Sequence, residues 1–317
     1  MGVEVLDMQA PDFEQKFVTA CREIGAALIV NHQIDPALIQ SAYNEWLPET
    51  GGFFGLSEEQ KLQHYWHHKS KQCDDPEVGF YPMGSEAGSE HHKANKGSKN
   101  ENEYYHIKPG LPHSYPDVNG FEQTKKLASE NENVVLHLLD ILDRHGPDKH
   151  QAPFFGNLTQ SLSPEKWSTF RWLHYPPYEG PGDPEEEIQL IKVHKDKGCL
   201  TTVVSPSTSG LCVEDRHGVY HRVPQQPGAI IAQIAEGLEL MSGNYYYAGR
   251  HTVMGKRKNL NKHRVSAARF WHFKPDVRVA SDVTNGDMME NYWRKKGLQV
   301  DDNSNGNAND SADENKG

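Results

Sequence analysis

The second half of the chain is divided into short segments that are typical of β-strands. After about residue 168, runs rich in β-branched and aromatic residues are separated by turn residues. The runs are FRWLHYP, IQLIKVH, CLTTVVS, GLCVED, GVYHRV, GAIIAQI, RHTVM and RVSAARFWHF. This pattern predicts an antiparallel sandwich or jelly roll and not a parallel sheet with crossover helices. No GxGxxG or phosphate-binding loop pattern accompanies these runs.

The first half of the chain is predicted to be mainly helical. Apolar residues recur at helical spacing in 11–24, and the apolar run 26–30 indicates a buried strand. Further helices are predicted over 36–47, over 57–65 and from Gly120 to His145. The last of these is strongly apolar on one face, so we expect it to support a sheet.

The stretch 70–118 differs from its surroundings, because it is rich in Gly, Ser, Asn and charged residues and has little periodicity. We predict a long irregular segment that covers a site. The fold class is therefore α+β with a mainly β core, organised as one structural unit. Its predicted parts are an N-terminal helical region with the cover segment (1–118), a catalytic core that includes the supporting helix (119–280), a C-terminal helix (281–299) and a disordered acidic tail (300–317).

Charge and composition narrow the choice of partners. The net charge of −11 argues against nucleic acid, because phosphate backbones are bound by basic surfaces. Part of this charge lies in residues 301–317, which lack large apolar residues and are predicted to be disordered. No apolar run is long enough to span a bilayer. A small molecule is the expected partner.

The termini and the cysteines indicate the compartment. The sequence begins without the basic and apolar regions of a secretory signal. Its cysteines, at positions 21, 73, 199 and 212, have no paired spacing and are too few for a disulfide framework. We therefore expect a cytoplasmic protein with free thiols, and we expect it to be a monomer.

A candidate metal site begins in the run IKVHKDKGCL. His194 and Asp196 lie two positions apart on a predicted strand, so both side chains point to one face. His251, in AGRHTVM, is the leading candidate for a third ligand. Two imidazoles and one carboxylate form the facial triad of non-haem Fe(II) oxygenases. An alternative is a chance H-x-D among eighteen histidines, with Asp196 as a turn residue before Gly198.

A candidate anion site follows in HRVSAARFW, where Arg264 and Ser266 share one face of a strand. A guanidinium offers two parallel donors to a carboxylate, and the hydroxyl adds a third. The alternative is an edge-strand arginine beside a solvated serine. The order H-x-D, distal His, R-x-S favours the functional interpretation.

With these motifs the chain resembles the Fe(II)/2-oxoglutarate-dependent dioxygenases, specifically the isopenicillin N synthase-like subgroup. The similarity extends to FVTACREIGAALIVNHQI and GGFFGLSEEQK in the first part of the chain and to FRWLHYPP later. The chain departs from the family pattern at Leu173, where Asn is frequent, at Tyr220 in place of Trp, and at Ala235-Glu236 in place of Gly-Asp.

The resemblance implies a double-stranded β-helix, or jelly roll, with the N-terminal helical region packed on the sheet. It implies that the metal ligands and catalytic residues are His194, Asp196 and His251, which would hold Fe(II). The far carboxylate of 2-oxoglutarate would pair with Arg264 and Ser266, with a further hydrogen bond from Tyr175. With dioxygen as the oxidant, the implied reaction is C–H oxidation of a small molecule by hydroxylation, desaturation or ring closure.

A local excess of basic residues near the proposed ligands favours an anionic or amino-acid-derived substrate. Lys192 and Arg250 are the candidate substrate contacts, and Lys192 shares the inward face with His194. Two other functions stay open from the sequence. One is an oxidase of the same family that uses no 2-oxoglutarate, and the other is a non-catalytic jelly-roll binding protein.

Overall fold

The elements of the fold are taken from a computed structural model that describes residues 2–73, 75, 77–84, 102–164, 167–178 and 180–296. The helices within this part of the chain are α1 (Phe13–Glu23), α2 (Pro36–Asn44), α3 (Glu58–Leu62), α4 (Trp66–Cys73), α5 (Glu122–Arg144), α6 (Leu158–Ser161), α7 (Glu236–Met241) and α8 (Asn285–Lys296). The strands are β1 (Val5–Asp7), β2 (Ala26–Val30), β3 (Gly79–Tyr81), β4 (Glu103–Ile107), β5 (Thr169–Tyr175), β6 (Glu187–His194), β7 (Leu200–Val204), β8 (Leu211–Glu214), β9 (Tyr220–Arg222), β10 (Ile230–Ile234), β11 (His251–Lys256), β12 (Arg264–Trp271), β13 (Arg278–Ala280) and β14 (Val283–Thr284).

Two sheets form the centre of the molecule. The large sheet has the order β1-β2-β10-β7-β12-β5-β4-β3, and the small sheet has the order β6-β11-β8-β9. Apart from the parallel pair β1 and β2, neighbouring strands in both sheets are antiparallel. All eight predicted strand segments are strands of these two sheets, which confirms the expected double-stranded β-helix.

The inner faces of the two sheets pack against each other. Side chains alternate between the two faces of a strand, so each strand contributes every second residue to the space between the sheets. Leu190 and Val253 of the small sheet lie in one buried cluster with Leu173, Val203 and Ala268 of the large sheet. This apolar interior ends near His194 and His251, where β6 ends and β11 begins.

The outer face of the large sheet is covered by helices. Apolar residues of α1, α2 and α5 join one buried cluster with residues of β7, β10 and β12. The ring of Trp46 stacks on Trp172 with the centroids 5.0 Å apart, and its Nε1 donates a hydrogen bond to Thr124 Oγ1 at 2.9 Å. Each large apolar side chain buried in this way contributes on the order of 2 kcal/mol. The predicted role of α5 as the support of the sheet is therefore confirmed.

The turn between α1 and β2 depends on glycine. Gly25 has a φ of +75°, and a Cβ there would lie 2.2 Å from the carbonyl oxygen of Tyr247. Only glycine tolerates both the left-handed conformation and this close approach. The turn thereby lets β2 enter the large sheet beside β10, with Ile29 opposite Ile230.

The prediction that 70–118 is irregular was wrong in part. Helix α4 extends to Cys73, and two short strands, β3 and β4, continue the large sheet beyond β5. Both strands are buried on both faces, so they lack the alternation of apolar and polar residues by which a strand is recognised. The prediction for 85–101 lies outside the described residues.

The C-terminal helix α8 is anchored to the segment that follows β12. Helix α8 begins at Asn285, whose Nδ2 donates a hydrogen bond to the carbonyl oxygen of Phe273 at 2.7 Å. The predicted acidic tail lies outside the described residues, and the division of the chain into parts stays a prediction. The cysteines at positions 21, 73, 199 and 212 are free thiols. None of the helices in the described part of the chain combines the length and apolar character needed to cross a membrane.

Candidate functional site

The structure brings His194, Asp196 and His251 together. The register of the small sheet pairs His251 directly with His194, and Asp196 follows on the loop after β6. One ligand atom from each residue lies within 4.8 Å of the others. Asp196 Oδ1 is 3.6 Å from His194 Nε2, and Asp196 Oδ2 is 3.7 Å from His251 Nε2. Two imidazole nitrogens and one carboxylate oxygen are the donor set expected for non-haem Fe(II).

Hydrogen bonds to the backbone orient both imidazoles. His194 Nδ1 lies 2.8 Å from the carbonyl oxygen of Lys192, and His251 Nδ1 lies 3.4 Å from that of Gly249. When Nδ1 carries the proton, it donates a hydrogen bond to the backbone carbonyl oxygen, and the lone pair of Nε2 is free to bind a metal. Burial, together with the nearby His251, lowers the pKa of His194, which favours the neutral form that binds metals.

Asp196 is held in the ionised form. Burial alone would raise its pKa, but the neighbouring His251 and His194 and the hydroxyl of Thr201 together lower it. Thr201 Oγ1 donates a hydrogen bond to Asp196 Oδ2 at 2.6 Å. Gly198 lies two residues after Asp196 on the same loop. A Cβ there would lie 2.2 Å from the carbonyl oxygen of Trp271, so only glycine lets this loop pass against β12.

Helix α7 connects the two loops that carry the triad. Glu239 is buried, and its Oε2 accepts a hydrogen bond from Lys195 Nζ at 2.8 Å on the loop after β6. Its Oε1 accepts from the backbone N–H of Ala248 at 2.9 Å, three residues before His251. Glu236 forms a second ion pair with Lys197. One carboxylate therefore fixes both ligand-bearing loops relative to each other.

The predicted anion site lies between β5 and β12. Arg264 pairs in register with Tyr175, and Ser266 pairs with Leu173, the residue found in place of the family's frequent Asn. All of these side chains are buried. The Arg264 Nε and Nη1 atoms have no hydrogen-bond partner among the described residues. A buried cation with unused donors is costly unless an anion pairs with it, so this site fits a carboxylate.

Tyr175 is the immediate neighbour of that guanidinium. The Arg264 Cζ atom lies 4.8 Å from the centroid of the Tyr175 ring. Burial raises the pKa of Tyr175, and the positive charge of Arg264 partly opposes this shift. The tyrosine therefore stays a neutral hydroxyl, able to donate a hydrogen bond to an anion held by Arg264.

A cavity of about 460 Å³ opens beside the triad. His194, Asp196 and Lys192 line it, as do residues of β4, β5 and β12. The C-terminal helix α8 contributes Met289 and Tyr292 to its wall. His194 is the most exposed of the three triad side chains, with 40% of its surface accessible, so the triad faces this space.

The structure brings one of the two predicted substrate contacts to this cavity. Lys192 is exposed and lines it. Arg250 is exposed but is not among the described residues that line the cavity, and its charge lies near Tyr220 and Tyr247 instead. The contact between Arg250 and the substrate stays a prediction that the position of Arg250 does not favour, because neighbouring side chains along an extended segment point to opposite sides and His251 takes the inward position.

Sequence reasoning missed several residues of the cavity wall, including Glu77, His106 and Arg171. Glu77 accepts hydrogen bonds from Trp293 Nε1 at 3.1 Å and from Lys108 Nζ at 3.3 Å. Burial would raise the pKa of Glu77, but the positive charge of Lys108 and its other neighbours lower it to about 2. Alternation along β5 could have identified Arg171, since it lies four residues before Tyr175 and so shares its face.

Known protein families match both halves of the chain. Residues 3–130 match the non-haem dioxygenase in morphine synthesis N-terminal family, and residues 167–273 match the 2OG-Fe(II) oxygenase superfamily. Gibberellin 3-beta-dioxygenase 1 of Arabidopsis thaliana is 23% identical over 285 residues, which are 88% of this chain and 73% of that protein.

Solved structures share the same fold. The crystal structure of a candidate oxygenase from Shewanella oneidensis superposes with a TM-score of 0.75 at 25% identity, over 94% of this chain and 100% of that one. JOX2 in complex with 2OG, Fe and JA superposes with a TM-score of 0.67 at 21% identity, over 94% of this chain and 87% of that one. The two family matches together span residues 3–130 and 167–273, so this chain belongs to the 2OG-Fe(II) oxygenase superfamily and is an oxidoreductase that uses Fe(II) and 2-oxoglutarate.

Proposed function

We propose that this enzyme couples the oxidative decarboxylation of 2-oxoglutarate to C–H oxidation of a small molecule, with His194, Asp196 and His251 as the iron ligands. The observation that carries the proposal is the convergence of one donor atom from each of these residues within 4.8 Å, with His194 and Asp196 on the wall of a cavity of about 460 Å³. A cavity of this volume suits a small-molecule substrate.

Arg264, Ser266 and Tyr175 bind the far carboxylate of 2-oxoglutarate. The support is the unpaired Nε and Nη1 atoms of the buried Arg264, next to a neutral tyrosine hydroxyl and a serine on the same face of β12. Several donors are needed here, because a carboxylate in a dry site is favourable only when its lone pairs are satisfied.

The bound iron supplies the oxidising chemistry, in which 2-oxoglutarate and dioxygen give succinate, carbon dioxide and the oxidised substrate. The protein residues fix the geometry. Thr201 holds Asp196 through its hydroxyl, and the backbone carbonyls of Lys192 and Gly249 orient the two imidazoles. Lys192 lies on the cavity wall, where its ammonium group attracts an anionic substrate.

The test is the substitution His194→Ala, which removes one of the three proposed ligands. We expect loss of Fe(II) binding in anaerobic titration and loss of succinate formation from 2-oxoglutarate, because two remaining ligands hold the metal weakly. The circular dichroism spectrum and the free energy of unfolding of the metal-free protein should change little, since the side chain lies at the edge of the core.

His150→Ala is the matched control. His150 is exposed on the loop after α5, and its imidazole is outside the cavity. This variant should bind iron and form succinate as the wild type does. Iron binding and turnover retained by His194→Ala would contradict the proposed ligand set.

A further inference from the structure

Arg171 is a cation in the cavity that forms no ion pair with the described residues, and its charge acts at longer range on Asp196, a proposed metal ligand. It lies on β5 and lines the cavity with His194 and Asp196. No carboxylate among the described residues forms an ion pair with it, whereas Arg144, Arg222, Arg257 and Arg269 have such partners. An arginine without a matching acid, on the wall of an enzyme's cavity, indicates that the missing acid belongs to a ligand.

Other charged groups of the cavity are already balanced. The carboxylate of Glu77 interacts with Lys108 and Trp293, so it does not compensate Arg171. Two of the cations that line the cavity are also paired: Lys195 with Glu239 and Lys197 with Glu236, both on α7. Of the lysines and arginines lining the cavity, Arg171 and Lys192 are the two without a carboxylate partner in the described part of the chain.

Arg171 is fixed by a hydrogen bond that adds no negative charge. Its Nε donates to His106 Nε2 at 2.6 Å, and His106 Nδ1 lies 2.9 Å from the backbone carbonyl oxygen of Glu77. This arrangement requires a neutral imidazole with its proton on Nδ1. Burial, followed by the positive charge of Arg171, lowers the pKa of His106 well below its usual value, so the histidine stays neutral.

Two aromatic rings hold the guanidinium plane. The Cζ atom of Arg171 lies 4.7 Å from the ring centroid of Tyr104 and 4.8 Å from that of Phe270. Stacked guanidinium groups lose little rotational freedom when they bind a planar anion. With Nε occupied by His106, the Nη1 and Nη2 donors are left for a ligand. Lys192 lacks these restraints, because it is exposed and its side chain is flexible.

Arg171 and the proposed 2-oxoglutarate site occupy different positions on β5, although the charge of Arg171 still acts on Tyr175. It pairs in register with Ala268, four residues from the pair formed by Tyr175 and Arg264. At about 3.3 Å per residue, the two positions are roughly 13 Å apart along the strand. The fold therefore holds two separate cations that suit carboxylates, one near each end of β5.

We propose that Arg171 binds a carboxylate of the primary substrate, which makes that substrate a small organic acid. This inference rests on the proposed function and names the substrate class of the same cavity. The Nη1 and Nη2 atoms donate to the carboxylate. The rings of Tyr104 and Phe270 beside the guanidinium offer apolar surface to the adjoining carbon skeleton.

The test compares matched pairs of a carboxylic acid and its primary amide, such as phenylacetate with phenylacetamide, 3-phenylpropanoate with its amide, and hexanoate with hexanamide. Dissociation constants are measured by calorimetry on the full chain with Fe(II) and saturating 2-oxoglutarate, without oxygen. Saturating 2-oxoglutarate occupies the proposed site at Arg264. We expect at least one acid to bind about tenfold or more tightly than its amide, since the pairs differ mainly in charge.

The substitution Arg171→Gln should abolish this preference by weakening acid binding about tenfold while leaving amide binding unchanged. Arg171→Lys, which keeps the charge but not the planar fork, should retain part of it. Arg222→Gln is the matched control: Arg222 lies on β9, where it pairs with Glu187, and is not among the described residues that line the cavity. This variant should keep the wild-type preference.

The inference is overturned if no pair gives an acid preference in the wild type, whether both members bind or neither does. It is equally overturned if Arg171→Gln keeps the preference. A separate anaerobic titration of 2-oxoglutarate into the Fe(II)-loaded protein distinguishes the two proposals. A charge-transfer band that depends on both Fe(II) and 2-oxoglutarate, without an acid preference, leaves the proposed function standing, whereas iron binding without that band contradicts the proposed function itself.

Discussion

At the scale of single residues, charge placement distinguishes binding sites from structural ion pairs. Arg269 is fully buried, but it donates hydrogen bonds to the carbonyl oxygens of Ala128 and Pro164 and pairs with Glu132. Its role is to join β12 to α5. Arg269 leaves only its Nε without a partner, whereas Arg264, on the same strand, leaves both Nε and Nη1 without one and forms no ion pair among the described residues. The two arginines show that burial alone does not identify an anion site, whereas a buried guanidinium without an ion pair does.

Replacing Arg264 should therefore weaken 2-oxoglutarate binding selectively. Charge-assisted hydrogen bonds contribute on the order of 2–3 kcal/mol, so Arg264→Gln should raise the KM for 2-oxoglutarate by about 100-fold. The affinity for Fe(II), measured by anaerobic titration, should stay close to that of the wild type, because Arg264 is not one of the proposed metal ligands. An unchanged KM for 2-oxoglutarate would contradict the assignment of Arg264.

Site residues could be predicted from the sequence when two side chains of suitable chemistry, such as metal ligands or anion-binding groups, lie two positions apart on a strand. His194 with Asp196 and Arg264 with Ser266 are two such pairs. Alternation along β5 places Arg171 on the same face as Tyr175, but its pairing with His106 was missed because His106 comes from a segment predicted to be irregular. Such a pairing is created by the register between β4 and β5, which no local pattern encodes.

At the scale of secondary-structure elements, the short helix α7 links the two loops that carry the triad. Through Glu239 it bridges Lys195 on one ligand loop and Ala248 on the other. The substitution Glu239→Ala leaves a buried backbone N–H without its acceptor. We expect the free energy of unfolding in urea to fall by about 1–3 kcal/mol and the affinity for Fe(II) to fall roughly tenfold.

Glu236→Ala provides the comparison within the same helix. Its ion pair with Lys197 is partly exposed, so the loss should be at most about 1 kcal/mol. Equal effects of the two substitutions, or no effect of Glu239→Ala on iron affinity, would mean that α7 does not fix the ligand loops.

The strands with clear boundaries were the elements most readily predicted. β5, β6 and β12 are flanked by turn residues and carry β-branched or aromatic side chains, and all were found near their predicted positions. β3 and β4 were missed, because they are short, buried on both faces and separated by a polar stretch. Their strand character comes from pairing with β5, which is a tertiary effect.

At the scale of the whole molecule, Glu77 joins segments that are distant in sequence. It lies before β3, pairs with Lys108 after β4, and accepts a hydrogen bond from Trp293 on α8. The pKa of this carboxyl falls from an ordinary 4.5 to about 2 in the folded protein. Because the folded protein favours the ionised form, Glu77 stabilises the fold above the pKa of the unfolded chain.

This contribution, about 3 kcal/mol at pH 7, should be lost progressively as the pH falls from about 5 towards 2. By pH 3 about 2 kcal/mol of it should be gone. In urea denaturation, the free energy of unfolding of Glu77→Gln should therefore fall by about 2 kcal/mol less than that of the wild type between pH 7 and pH 3. Parallel pH profiles for the two proteins would contradict this role of Glu77.

The walls of the cavity come from separate stretches of the chain. Tyr104 comes from β4 and Tyr292 from α8, whereas the triad lies on the small sheet and the loop after it. Part of the cavity wall therefore comes from segments that carry none of the proposed iron ligands. Exchanging β4 and α8 for the corresponding segments of a relative offers a route to redirect the enzyme towards new compounds while the proposed iron ligands stay untouched.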